Sequence, residues 1–254
     1  MNAQPPAVAA LSAGAVDVWC ARPEEIGSEA EARRFLAEDE LERCARFRLE
    51  RSRQLAAAGR VLLRTVLSRY EPVAPADWRF AVEAHGRPVV AGGRGALRFS
   101  VSKTAGLVVC AVAAEDLGVD VESLRRPAPL AVAERFFAPT EVAALRALPE
   151  QERAGRFFDY WTFKESYVKA RGLGLSVPLE KFVVVLDDGP PRLEIDRSLE
   201  DDGACWRLAQ LRPTPEHVVS LCVRRRSERE AAISLRWHSS APSPTEANSR
   251  EARS

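Results

Sequence analysis

The chain has 254 residues, 46% hydrophobic and 29% charged, which fits a soluble globular protein with a real core and excludes a disordered or fibrous chain. Its 37 Lys and Arg nearly cancel its 36 Asp and Glu, so nothing global calls for nucleic acid or an anionic membrane, and any anion must be held by a local cluster. No window approaches twenty apolar residues, which excludes a membrane-spanning helix; five scattered cysteines without a CxxC pair argue for a reducing cytoplasm and against a zinc site, and the N-terminus lacks a signal-peptide pattern.

Residues 1–13 are rich in Ala and Pro and are expected to be loose. Val16–Cys20 reads as a first strand. From Glu29 to about Tyr70 the apolar spacing is helical, with a break near Arg48–Ser52 that separates two helices, and Pro72 and Pro75 end the second. Asp77–Glu83 alternates as a strand, and His85–Pro88 reads as a tight turn. Leu97–Val101 and Leu107–Ala114 read as paired strands about a turn at Thr104–Gly106. After a strand at 118–122, helices are expected at about 130–136, 139–148 and 150–171. Gly172 suits the last helix's C-cap and Pro178 forbids its continuation. Val183–Leu186, Ala204–Leu211 and Val218–Val223 are strand-like. Residues 227–254, rich in Ser, Glu, Arg, Ala and Pro, are expected to be mostly disordered.

Two stretches carry chemistry. In Gly118-Val-Asp-Val-Glu122, strict alternation sends Val119 and Val121 one way and Asp120 and Glu122 the other. The two carboxylates leave such a strand about 6.6 Å apart at their roots. Their oxygens can converge on one hard cation such as Mg2+; a strand with one solvated acidic face is the plain alternative. In Trp161-Thr-Phe-Lys-Glu-Ser-Tyr-Val-Lys169, Glu165 and Lys169 leave one helix face and can serve a metal and a phosphate together, or form an ordinary i,i+4 ion pair. Phe157, Phe158, Tyr160 and Trp161 read as core, with Trp161 one turn before Glu165. His217 and His238 lie near no motif.

The chain resembles the 4'-phosphopantetheinyl transferases, in particular the larger type with two similar halves that activates peptide and polyketide synthetases. The resemblance runs from about Phe47 to Val223. It rests on Gly118-Val-Asp-Val-Glu122 and on Trp161-x-x-Lys-Glu-Ser-x-x-Lys169 with the following Gly-Leu-Gly-Leu-Ser-Val-Pro178. Weaker pieces are Gly86-Arg-Pro88, Arg135–Glu141 and Gly59–Arg64. It implies transfer of the phosphopantetheine arm of coenzyme A to a serine of an acyl, peptidyl or aryl carrier protein, with release of adenosine 3',5'-bisphosphate. It further implies Asp120, Glu122 and Glu165 as Mg2+ ligands against the coenzyme diphosphate and Lys169 on phosphate, with Glu165 the candidate base. Gly86-Arg87-Pro88, Arg51, Arg43, Asp120 and the segment Ser102-Lys103-Thr104 are the expected coenzyme contacts. The family usually has histidine at the place of Lys103; lysine keeps a positive charge there, or is simply a solvated turn residue.

The fold implied is α+β, with two similar halves at about 14–113 and 114–226, the metal site in the second and the coenzyme in the cleft between them. No sequence identity joins the halves, so a duplication rests on element order alone. The expected partners are coenzyme A and apo carrier domains of fatty-acid, polyketide or non-ribosomal peptide synthases, with neither nucleic acid nor membrane, for a cytoplasmic monomer. Two other readings stay open: a non-catalytic coenzyme A- or carrier-binding protein of this fold, and a Mg2+-dependent hydrolase of a nucleotide diphosphate.

Overall fold

The apolar runs of the sequence become strands buried on both faces, and the amphipathic stretches become helices laid over them. A computed structural model describes residues 11, 14–93, 97–225 and 232–238. The first half consists of β1 (Val16–Ala21), α1 (Pro23–Ile26), α2 (Glu29–Phe35), α3 (Glu38–Ala45), α4 (Glu50–Leu67), β2 (Phe80–Val82), β3 (Pro88–Val90), β4 (Arg98–Thr104) and β5 (Leu107–Ala113). The second consists of β6 (Leu117–Ser123), α5 (Leu130–Phe136), α6 (Pro139–Ala147), α7 (Glu150–Arg171), β7 (Phe182–Val185), β8 (Arg192–Ile195), β9 (Trp206–Thr214) and β10 (His217–Arg224), and β11 (Ile233–Trp237) follows. The fold is α+β.

Each half is wound the same way. Its first strand pairs antiparallel with its last, and the last pairs with the one before it, giving the orders β1-β5-β4 and β6-β10-β9. A two-stranded hairpin, β2–β3 or β7–β8, follows the long helix of each half. The two sheets meet through Val18, Cys20, Val109 and Ala111 on one side and Val119, Val121, Val219 and Leu221 on the other. The long helix α4 covers the first sheet with Ala58, Leu62 and Val66, and α7 covers the second with Phe163, Tyr167 and Ala170. Burying a side chain of Val or Leu size stabilises by about 1.5–3 kcal/mol. Central strands covered on both faces therefore read as unbroken apolar runs.

The duplication leaves a trace in the sequence after all. Val16-Asp-Val18 and Val119-Asp-Val121 occupy the first strands, and Arg34-Phe-x-Ala-x-x-Glu40 matches Arg135-Phe-x-Ala-x-x-Glu141. The two glutamates do the same work. Glu40 accepts from the backbone N–H of Ala37 (3.1 Å) and pairs with buried Arg64 of α4 (2.6 Å). Glu141 accepts from Ala138 (2.8 Å) and pairs with buried Lys164 of α7 (2.8 Å). Each cation then donates to two carbonyls at the start of the following hairpin, Arg64 to Pro75 and Trp78, and Lys164 to Leu179 and Phe182. Removing one partner of such a pair would leave a buried charge, at about 3–5 kcal/mol.

Besides the short helix α1 and the strand β3, neither of which was expected, the structure departs from the sequence reading in three further places. The stretch from Glu29 to Tyr70 holds three helices, because Glu40 caps a new helix at Ala37 and leaves Leu36 extended. The strand β8 was not expected. Within the tail expected to be mostly disordered, Ile233–Trp237 forms β11, parallel to β1, and the rest of that tail outside 232–238 lies outside the described residues. Arg236 reaches Asp17 (3.2 Å) across Trp19, and the His238 N–H donates to the Cys20 carbonyl. A Ser- and Glu-rich neighbourhood hid a five-residue strand that an open sheet edge stabilises.

Candidate functional site

The two sheets join where β4 meets β6, and side chains make that join. Ser100 Oγ accepts from the Val119 N–H (3.0 Å) and Ser102 Oγ from the Val121 N–H (3.3 Å). Ser102 Oγ donates in turn to Asp120 Oδ1 (2.8 Å). The alternation of β6 holds as expected: Val119 and Val121 enter the core between the sheets, and Gly118, Asp120 and Glu122 share the face opposite Cys222, Ser220 and Val218.

That face carries α7. Ser220 Oγ lies 2.7 Å from Thr162 Oγ1 of the helix. At Gly118 the helix comes so close that an added Cβ would lie 2.0 Å from the Ser166 carbonyl oxygen. This approach lets Lys169 Nζ reach Asp120 Oδ1 (2.7 Å), Ser102 Oγ (3.1 Å) and the Val119 carbonyl (3.1 Å).

Asp120 is 6% exposed, and its second oxygen, Oδ2, is buried without a hydrogen-bond partner. A bare buried carboxylate oxygen is costly and marks a place where a ligand atom is wanted. Burial, then Asp120, pushes the Glu165 carboxyl above the usual range, with Lys169 opposing. Glu122 is raised by the same two causes in the same order, against Arg126, which it meets at 2.7 Å. Among the described residues no three such side chains already surround one point, because Asp120 Oδ1 is turned to Lys169 and Glu122 to Arg126. The all-oxygen donor set, its mutual repulsion and the bare Oδ2 fit a hard divalent cation.

A cleft of about 630 Å³ opens in front of Glu165 and Lys169. The turn His85–Pro88, Lys103 of β4, Arg60 of α4, and Phe136 and Trp161 complete its wall. Arg87 bridges the halves, donating to Asp116 (2.9 Å) and lying against Gly172. Gly172 takes φ +67°, so the helix ends there on a residue that tolerates it. Burial, then Arg60 and Lys169, lowers the pKa of Lys103.

The structure thus brings Asp120, Glu122, Glu165, Lys169 and Ser102 together, with Gly86, Arg87, Pro88 and Lys103 along the cleft. Ser102 is buried, its hydroxyl held by Asp120 and β6, and Thr104 ends β4 facing Leu107. Arg43 and Arg51 are exposed on the first-half helices and are not among the cleft-lining residues; Arg43 pairs with Asp39. Sequence reasoning missed Arg60. It also gave His217 no role, yet His217 donates from Nε2 to the Ala105 carbonyl (2.9 Å), and its Nδ1 lies within hydrogen-bond distance of the Thr214 hydroxyl (2.7 Å). It thereby fastens the turn beyond Lys103 to the second sheet.

Comparison with known proteins gives a consistent family. The profile of the 4'-phosphopantetheinyl transferase superfamily matches residues 116–222, and that of 4'-phosphopantetheinyl transferase, N-terminal, matches residues 19–115. The 4'-phosphopantetheinyl transferase HetI of Nostoc sp. (strain PCC 7120) is 35% identical over 74% of this chain and 78% of its own. For Sfp of Bacillus subtilis (strain 168), the identity is 34% over 65% and 73%. Another Bacillus subtilis 4'-phosphopantetheinyl transferase is 32% identical over 70% and 79%.

Proposed function

This chain belongs to the 4'-phosphopantetheinyl transferase superfamily, and we propose that its cleft performs the family reaction with Asp120, Glu122, Glu165 and Lys169 as its working residues. The enzyme transfers 4'-phosphopantetheine from coenzyme A to a carrier protein. A serine oxygen of the carrier forms a bond to the phosphorus that bears pantetheine. The bond from that phosphorus to the oxygen of the adenosine 5'-phosphate breaks, and adenosine 3',5'-bisphosphate leaves.

Asp120, Glu122 and Glu165 would hold Mg2+, whose charge stabilises the negative oxygens of a reacting diphosphate. Lys169 holds Asp120 in place and lends positive charge beside the reacting phosphate. Glu165, at the cleft wall and already raised in pKa, accepts the serine proton directly or through a water. Arg87 and Lys103 bind coenzyme phosphate from the first half, while Phe136 and Trp161 of the second half offer apolar surface in the cleft wall. The observation that carries this reading is the bare, buried Asp120 Oδ2 among acids beside a cation-walled cleft.

We place the boundary between the halves at 113/114, and read the working unit as a monomer because both cleft walls come from one chain. The carriers would be domains of fatty-acid, polyketide or non-ribosomal peptide synthases. No described helix is long and apolar enough to cross a membrane, and the five cysteines are free, which supports a cytoplasmic setting.

Incubation with coenzyme A, Mg2+ and apo carrier proteins is expected to add about 340 Da to a carrier. Coenzyme binding without that gain would leave a non-catalytic binding protein. Release of adenosine bisphosphate in the absence of any carrier would favour a hydrolase.

A further inference from the structure

Two sheet edges face each other where the halves meet. β4 ends the order β11-β1-β5-β4, and β6 ends the order β6-β10-β9. An edge strand carries backbone groups that need partners. Here serine hydroxyls take the N–H groups of β6: Ser100 and Ser102, on one face of β4, accept from Val119 and Val121. Of the two, Ser102 reaches further. Its oxygen also accepts from Lys169 Nζ (3.1 Å), and it donates to Asp120 Oδ1 (2.8 Å). An ammonium and an amide can only donate, so they fill both lone pairs of the hydroxyl, and its single proton has to go to Asp120. Ser102 is 7% exposed and its bonding is complete, which leaves that hydroxyl no proton or lone pair for a coenzyme.

A carboxylate turns easily about its last bond, whose torsion is broad and roughly twofold. Two donors reach Oδ1 from different elements, Ser102 of β4 and Lys169 of α7; together they remove that freedom and leave Oδ2 bare. The two are not equivalent. The Lys169 side chain is a flexible stem, 30% exposed, and on the reading above it also serves phosphate. Ser102 stands on a packed strand, and its neutral hydroxyl orients the carboxylate without cancelling the negative charge that attracts a cation. We infer that Ser102 is a positioning residue for the metal: from the first half it holds Asp120 Oδ1, and so keeps Oδ2 available to the divalent ion that the acids of the second half bind. The inference rests on the transferase reading, in which Asp120, Glu122 and Glu165 hold that ion. It makes the metal site depend on the seam between the halves, and not on the second half alone.

The test is a titration of the full chain with manganese(II) in the absence of coenzyme, the free ion being followed by electron paramagnetic resonance. A calorimetric titration with coenzyme A in the absence of metal accompanies it. Ser102→Ala is compared with Ser100→Ala, which removes the seam bond to Val119 instead, and Asp120→Asn marks the site. Ser102→Ala is expected to weaken manganese binding by about tenfold or more, as loss of a partner that orients a metal ligand does. Ser100→Ala should stay within about twofold at a comparable loss of melting temperature. Metal-free affinity for coenzyme A should change by less than about twofold in either variant. In turnover, Ser102→Ala should raise the Mg2+ concentration for half-maximal transfer about tenfold, with kcat at saturating Mg2+ largely kept. An unchanged manganese affinity in Ser102→Ala, or an equal loss in Ser100→Ala, would overturn the proposal. Metal-free coenzyme binding that weakens in step with manganese binding would overturn it too, since that describes a coenzyme contact. Should Ser102→Ala not fold, Ser102→Cys decides, because a thiol is a weaker donor and an affinity equal to the wild type would contradict the role. Manganese binding untouched by Asp120→Asn would overturn both the metal site and this proposal. The expected manganese pattern in a protein that transfers nothing would instead count against the transferase reading and leave Ser102 in its role.

Discussion

Glu165→Gln is expected to slow carrier modification by at least about 10³-fold, while coenzyme A binding weakens far less. Glutamine keeps the shape of the side chain and its place on α7, one turn before Lys169. It removes the proton acceptor and one negative charge from the acid cluster. The same change should not harm the fold. Burial and then Asp120 raise the Glu165 pKa, so its ionised form works against folding. A carboxyl whose folded pKa lies above the unfolded one loses stability as pH rises from the unfolded value through the folded one. Removing that charge should leave the melting temperature of the metal-free protein unchanged or raise it. Single-turnover measurement of carrier modification, paired with thermal melting, checks both halves of this expectation. Transfer within about tenfold of the wild type would remove Glu165 from the proton step.

Gly118→Ala is expected to destabilise the protein by about 3 kcal/mol or more and to abolish transfer together with stability. The added methyl would lie 2.0 Å from the Ser166 carbonyl oxygen and 2.6 Å from the Ala170 nitrogen, both backbone atoms of α7. No rotamer change relieves a clash with backbone, so α7 must move off β6 and carry Glu165 and Lys169 away from Asp120. Gly155, in the same helix, is the control, because a Cβ there meets nothing within 4 Å. Gly155→Ala should be neutral or stabilise by about 0.5–1 kcal/mol. Urea denaturation of the two variants compares a methyl forced against α7 from strand β6 with one added on α7 where nothing lies near. A loss below about 1 kcal/mol in Gly118→Ala would mean that α7 is not pinned at this distance.

The parts of the site set by local periodicity were legible in the sequence. The alternation in β6 separated Asp120 and Glu122 from Val119 and Val121, and the glycine C-cap and Pro178 delimited α7. What was hidden depends on distant segments meeting. Arg60 falls in Gly59–Arg64, one of the weaker pieces of the resemblance, but it becomes a cleft residue only because α4 crosses β4 at Gly59. Ser102, expected as a coenzyme contact, is instead engaged by β6, whose Val121 N–H it accepts, and by Asp120, to which it donates. The duplicated Glu40–Arg64 and Glu141–Lys164 pairs escaped a search for identity because the cation changes type while its geometry is kept. The strand β11 escaped because its stability comes from the open edge of β1 and from Asp17, not from its own neighbours.

The most direct measurement of the central claim is phosphorus NMR of coenzyme A bound to the protein with manganese(II) as a paramagnetic stand-in for Mg2+. The acid cluster is predicted to hold the ion beside the diphosphate. Its two phosphorus resonances should broaden far more than that of the ribose phosphate, and Asp120→Asn should erase the difference. Equal broadening of all the resonances in the wild type, or the same selective broadening in Asp120→Asn, would contradict an ion held by Asp120, Glu122 and Glu165.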